Sequence, residues 1–244
     1  MRPARWLASC GAGPRGPKVT AGGFVFRLKV FAAVAALAPL IAACGAVPPP
    51  PESRAAYAAA RAAAEAGDYP AATDRYEALR RDLTRGRDAA ALRLEYALVL
   101  LYADQPERAR AMAAEAAEVH RGRDTRARAQ VLSAIARHSL LETYLATRPP
   151  YLEARSRARA VYQDMVETYR AHGVQDEAGI IPARLGVLRE SLAQIELREM
   201  RADIARGDRL TASQRAQYIQ IEFGDTAIVG RSASELRRVV QQQA

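Results

Sequence analysis

Reactive and metal-ligating side chains are few in this 244-residue chain. It holds two cysteines, Cys10 and Cys44, and three histidines, His120, His138 and His172, with no H-x-x-x-H or H-x-H spacing. His138 and Glu142 stand four apart on a predicted helix, which is the spacing of a surface pair. No G-x-S-x-G or G-x-x-x-x-G-K-[ST] occurs, and no G-x-G-x-x-G follows a strand, so the nucleophile-elbow, P-loop and dinucleotide-binding chemistries lack their sequence basis. Apart from one stretch near the N-terminus, no apolar run approaches the ~18 residues of a membrane span. Few β-branched runs precede residue 217, too few to build the compact α/β core most periplasmic enzymes need. The chain therefore reads as a non-enzyme, with no small-molecule substrate.

Acidic residues are absent from positions 1–43, and lysine is absent after Lys29. The formal charge of +9 is concentrated accordingly: Arg2, Arg5, Arg15, Lys18, Arg27 and Lys29 lie in that first segment. Removing these six from the 36 basic residues leaves 30 against 27 acidic ones, a net +3. A nucleic-acid partner loses its electrostatic basis once that segment is gone.

What the N-terminal segment contains explains why it would go. Residues 1–23 are rich in Gly, Pro and Arg and aperiodic, and are read as an extension ahead of the true start. Residues 24–43 carry Arg27-Leu28-Lys29 and an apolar run from Val30 to Ala43, the layout of a signal peptide. Ile41-Ala42-Ala43 precede Cys44 with a branched residue and then small ones. This stretch resembles the bacterial lipobox. The resemblance implies cleavage between Ala43 and Cys44 and a covalent diacylglycerol plus N-acyl lipid on Cys44, with no other cofactor. Two or three acyl chains anchor a protein stably where one, at about 0.8 kcal/mol per buried CH₂, does not. Gly45 after the cysteine, where enterobacterial lipoproteins destined for retention carry aspartate, implies an outer-membrane anchor facing the periplasm of a Gram-negative bacterium. Cys10 is discarded with the leader, so no thiol remains for a disulfide, a nucleophile or a zinc site.

Residues 44–52 form a tether around Pro48-Pro49-Pro50-Pro51, stiff as polyproline II. From Ser53 to about residue 209 the pattern is helical, dominated by Ala, Leu, Arg and Glu. A helix pair over Ser53–Ala66 and Ala71–Leu83 turns at Gly67-Asp68-Tyr69-Pro70. Ala60, Gly67-Asp68-Tyr69, Ala72, Tyr76 and Leu79 fall at the small-residue, turn and packing positions of a tetratricopeptide repeat. A second pair shows Leu94, Tyr96-Ala97, the turn Asp104 to Glu107, and Ala109, Ala113 and Ala116, with Ala72 and Ala109 37 residues apart. A third runs from Thr125 to Leu145, breaks at Arg148-Pro149-Pro150, and resumes from Leu152 to Ala171 with Ala158, Tyr162 and Met165. Gly173 is expected at C′ of that helix, and Pro182 to open the next, with Leu185, Leu188, Leu192 and Ile195 on one face until Arg206-Gly207-Asp208. Glu190, Glu196, Arg198, Glu199 and Arg201 alternate in sign as on a solvated face.

Residues 210–244 form a capping segment of undecided structure. Thr211 to Tyr218 reads as helix, while Tyr218 to Phe223 alternates with period two, so a small hairpin and a fraying helix both stand. Ser232 and Glu235 make a capping box for a last helix. The fold class expected is thus all-α, a tetratricopeptide-like solenoid of about 3–4 helix pairs.

With its lipobox and tether, the chain resembles bacterial tetratricopeptide-repeat lipoproteins that assemble envelope machines, from Cys44 to about Arg206. That resemblance implies a protein–protein scaffold. The tight-adherence (Flp) pilus lipoprotein, whose partner is a secretin, fits slightly better than the lipoprotein of the β-barrel assembly machinery, because recurrent Tyr-Pro repeat endings are missing. A structural lipoprotein without a dedicated client is the third reading. In such folds the first helix of each pair lines the partner groove, which here offers Arg54, Tyr57 and Arg61, then Leu94, Leu98 and Tyr102. Arginine and aromatic residues suit an acidic or extended peptide.

Overall fold

The computed structural model describes residues 51–176 and 179–241. The extension, the signal peptide, the Ala43/Cys44 cleavage site and the tether up to residue 50 lie outside the described residues. Pro51 and Glu52, read from the sequence as tether, open the first helix, where proline's missing N–H costs no bond.

Ten α-helices follow one another: α1 (Pro51–Glu65), α2 (Tyr69–Asp82), α3 (Gly86–Tyr102), α4 (Pro106–Val119), α5 (Arg123–Ala146), α6 (Tyr151–His172), α7 (Ile180–Ala205), α8 (Arg209–Phe223), α9 (Ala227–Arg231) and α10 (Ala233–Gln241). A 3-10 turn, Gly173–Gln175, extends α6, and there is no strand among the described residues. The chain is all-α. Each helix from α1 to α8 packs on the next in sequence. Second neighbours also meet, α3 on α5 and α5 on α7, while α9 rests on α7 and α10 on α8. Helix α1 makes its main contact with α2 alone.

Three of the four hairpins close in the same way. Gly67, Asp104 and Gly207 take left-handed backbone, with φ of 76°, 56° and 81°. The next amide reaches back five residues in each: Asp68 N to Ala63 O at 2.9 Å, Gln105 N to Leu100 O at 2.9 Å, and Asp208 N to Asp203 O at 3.0 Å. These are Schellman stops, which satisfy carbonyls the helix end would otherwise orphan. Asp68 and Asp208 then cap the next helix, accepting from Ala71 N at 3.1 Å and Thr211 N at 3.0 Å. Counting from the left-handed residue, the buried positions recur: Ala60, Ala97 and Met200 seven before it, Ala72, Ala109 and Ala212 five after. Alanine at five of these six positions lets the paired helices approach closely, and Met200 fills the sixth. The α5–α6 hairpin differs, turning at Arg148 (φ 54°) with Pro149-Pro150 adding a residue before Ala154 and Ala158 occupy the buried sites.

Four local expectations change. Residues 218–223 are helical, neither hairpin nor frayed end. Ala212, Ala216, Ile219 and Phe223 are buried at helical spacing, and Ile221, the residue that made the alternation convincing, is exposed. Gly173 has φ −59°, because the chain tightens into the 3-10 turn instead of reversing, and a Cβ there would stand 3.2 Å from the Tyr169 ring. Helix α7 begins at Ile180, not Pro182: the Asp176 carboxylate accepts from Ile180 N at 2.9 Å and Ile181 N at 2.8 Å. Glu235 directs both oxygens to Arg201, at 2.9 and 2.7 Å, rather than completing a capping box with Ser232.

The core falls into two clusters. One fills α1–α4 with alanines and the stacked pair Tyr76–Tyr96, whose ring centroids are 5.7 Å apart and 8° from parallel. The other fills α5–α10 around Met165, Leu188, Leu197, Met200, Ile219 and Leu236.

Candidate interaction face

The odd-numbered helices α1, α3, α5 and α7 stand at the first position of each hairpin, and polar side chains tie them across one face. At the α1 end, Tyr57 Oη donates to Glu95 Oε2 of α3 at 2.5 Å, and Arg61 Nε lies 3.7 Å from Glu95 Oε1. Glu95 is buried, and Oε1 itself has no hydrogen-bond partner. Burial therefore raises its carboxyl pKa, and the Tyr57 bond and the Arg61 charge offset this only in part.

At the α5–α7 end, Arg184 Nη1 donates to His138 Nδ1 at 2.8 Å and to Ser139 Oγ at 3.0 Å. Accepting at Nδ1 makes His138 the neutral Nε2–H tautomer. With 1% of its surface exposed, it is no surface partner of Glu142, as the spacing suggested, although Glu142 Oε2 lies 3.8 Å away. Burial, reinforced by the Arg184 charge, holds the imidazole pKa at about 4. Burial also raises Glu142, against the pull of Arg184 and with help from Asp104, and lowers Arg184 despite Glu142. Helix α3 places Tyr102 near this group, where burial raises the phenol pKa and the Arg184 charge offsets that only in part.

Of the six groove residues expected from sequence, Arg54 is exposed, and Tyr57, Arg61 and Tyr102 are half-buried. Leu94 and Leu98 are 6% and 8% exposed. Those two leucines are packing residues, and the face is lined by polar and aromatic groups instead. Arg61 already faces Glu65 at 3.8 Å as well as Glu95.

Sequence reasoning missed a second polar cluster. Glu196, 1% exposed, accepts from Tyr151 Oη at 2.8 Å, Arg155 Nε at 2.5 Å and Arg215 Nη1 at 2.9 Å. Arg215 Nε also donates to buried Asp203 at 2.9 Å, and Arg206 donates to the same carboxylate. Burial opposes the Arg215 charge, yet bonds to Asp203 and Glu196 dominate and push its pKa up. The alternating charges of α7 are thus tertiary ties, not a solvated face: Glu190 accepts from Ala227 N at 2.5 Å and Ile228 N at 3.0 Å, and Arg198 donates to Pro149 O at 3.0 Å. Every acid and base in the Glu196 cluster has a partner. That is the arrangement of a structural network rather than a catalytic pair.

Among the described residues no group of His, Cys, Asp and Glu could hold a metal ion, and no helix is long and apolar enough to cross a membrane. No protein-family model matches this chain, and no curated protein matches it.

Proposed function

We propose that this chain is a lipid-anchored envelope protein, tethered through Cys44 to the outer membrane, whose tetratricopeptide-like hairpins form a solenoid that holds a protein partner of a pilus or secretin assembly. The observation that carries the reading is the recurrence of one turn geometry and one set of buried positions, alanine at five of six, across three hairpins. Repetition of that kind stacks equivalent helices side by side and gives them a common face. The odd-helix face suits a binding role, since its half-buried Tyr57, Arg61 and Tyr102 offer aromatic and arginine surface. Its action is binding, without catalysis or a cofactor beyond the lipid.

The test is in-cell crosslinking followed by purification from native membranes, run beside Cys44→Ala with metabolic labelling by an alkyne fatty acid. The expected result is acyl label on the wild type only, with a secretin or pilus component captured in an anchor-dependent manner. Acylation without any specific captured protein would overturn the scaffold reading, and no label on the wild type would overturn the anchor.

A further inference from the structure

At the Tyr102 edge of the odd-helix face, the ends of the first two hairpins border an open cleft of about 440 Å³. Tyr69 at the start of α2 and Tyr102 at the end of α3 line it with nearly parallel rings, centroids 5.9 Å apart and 14° between planes. Asp74 and Asp104 also line it, and neither forms an ion pair among the described residues. Thr73, 7% exposed, contributes a buried hydroxyl that has no hydrogen-bond partner. Arg108, the one cation of the lining, donates from Nη1 to Gln105 Oε1 at 2.5 Å and from Nη2 to Tyr96 Oη at 2.9 Å, and forms no ion pair with either aspartate.

Asp104 carries a further peculiarity. It occupies the left-handed turn position that the first and fourth hairpins give to Gly67 and Gly207. A Cβ there is unfavourable, so glycine is the residue the turn itself would select. The aspartate puts a carboxylate on the cleft at a cost to the turn.

We propose that this cleft binds an arginine side chain presented by an extended segment of another protein. The charge balance favours a cation, because the lining sets two carboxylates, neither in an ion pair among the described residues, against one arginine, a net negative charge. Planarity favours arginine over lysine: a guanidinium stacks on a tyrosine face and presents several donors at once, to carboxylates and to the Thr73 oxygen. The site shares Tyr102 with the proposed binding face but needs neither the lipid anchor nor the tie between Tyr57 and Glu95, so it goes beyond the scaffold reading.

The experiment is an NMR titration of the isotope-labelled full-length chain with the tripeptide acetyl-Gly-Arg-Gly-amide, beside its citrulline counterpart, which keeps the shape and loses the charge. The arginine peptide should give saturable shifts at Tyr69, Thr73, Tyr102 and Asp104, with the citrulline peptide at least about tenfold weaker. The decisive variant is Asp104→Gly. It relieves the turn and should raise the melting temperature by about 1–3 °C, while weakening the arginine peptide about tenfold, so lost binding cannot be lost folding. Equal binding of the two peptides, unchanged affinity in Asp104→Gly, or no saturable shift at the two tyrosines would overturn the assignment. Because no membrane and no native partner enter the titration, its failure leaves the scaffold reading to its own test.

Discussion

The first two hairpins and the last two are held together by different physics. Helices α1–α4 meet through alanines and two stacked tyrosine pairs, Tyr76–Tyr96 in the core and Tyr69–Tyr102 at its edge, so their closeness depends largely on side chains that are small. Helices α6–α8 meet around two buried carboxylates, Glu196 and Asp203, neutralised by Arg155, Arg215 and Arg206. Steric fit is forgiving of charge and intolerant of volume, whereas a buried ion network is the reverse. The two kinds of weak point are thus weighted towards opposite ends of the chain, although α3 also buries two charged groups, Glu95 and Arg93, the latter donating to Glu115 and to the Leu83 and Ala89 carbonyls.

The sharpest way to break the comparison is to remove one partner from the ion network. Arg215→Ala leaves Glu196 and Asp203 buried with fewer counterions and should cost about 3–5 kcal/mol in urea unfolding. Adding Glu196→Gln should restore part of that, since a neutral amide needs no counterion. A loss below about 1 kcal/mol would show that α6–α8 are held by their apolar cluster alone.

At the seam between the regions, His138 predicts a pH dependence. Its folded pKa of about 4 lies below the ordinary value of 6.5, so the unfolded chain binds the proton first. The stabilisation is complete above about pH 6.5 and is lost as pH falls towards 4, by up to about 3 kcal/mol. Glu95 and Glu142, with raised pKa values, act in the opposite sense and favour the fold as they protonate. The measurement is therefore a difference. His138→Gln, which still offers Arg184 an acceptor and cannot ionise, should lose less stability than the wild type between pH 7 and 4.5.

In the alanine-built region the corresponding change is one of volume. Ala97→Leu, at a fully buried site in α3, should destabilise by about 1–3 kcal/mol through overpacking. The same exchange at Ala114, on the exposed face of α4, is the control and should stay within about 0.5 kcal/mol. The smallest effect concerns the feature common to both regions. Asp68→Ala removes the cap on α2 and should cost about 1 kcal/mol, seen as a shift in the denaturant midpoint with its slope unchanged.

Helix boundaries and hairpin turns were legible because they are local: Gly67-Asp68 and Gly207-Asp208 are chemically fitted to stop one helix and cap the next. The role of Glu196 was not legible. Its partners lie 45, 41 and 19 residues away in sequence, and an Arg/Glu alternation looks the same whether the side chains meet water or a neighbouring helix. Tyr218 to Phe223 misled for another reason, since alternation over six residues fits a strand, while Ile219 and Phe223 alone, four apart, fit a helix. On the candidate face, Tyr57, Arg61 and Tyr102 were placed by counting from the turns. That count could not tell lining from packing at Leu94 and Leu98, since both directions are open to leucine. The cleft between the first two hairpins escaped because its walls come from three helices and a turn.

The seating of α1 has a mechanical consequence. This helix rests mainly on α2 and is tied to α3 through the Tyr57–Glu95 bond and the Arg61 contact. A pull applied at its N-terminal end acts on those few ties before it reaches the ion network of α6–α8. Under load α1 should therefore peel away as a separate step at low force, working as a shock absorber for the helices behind it.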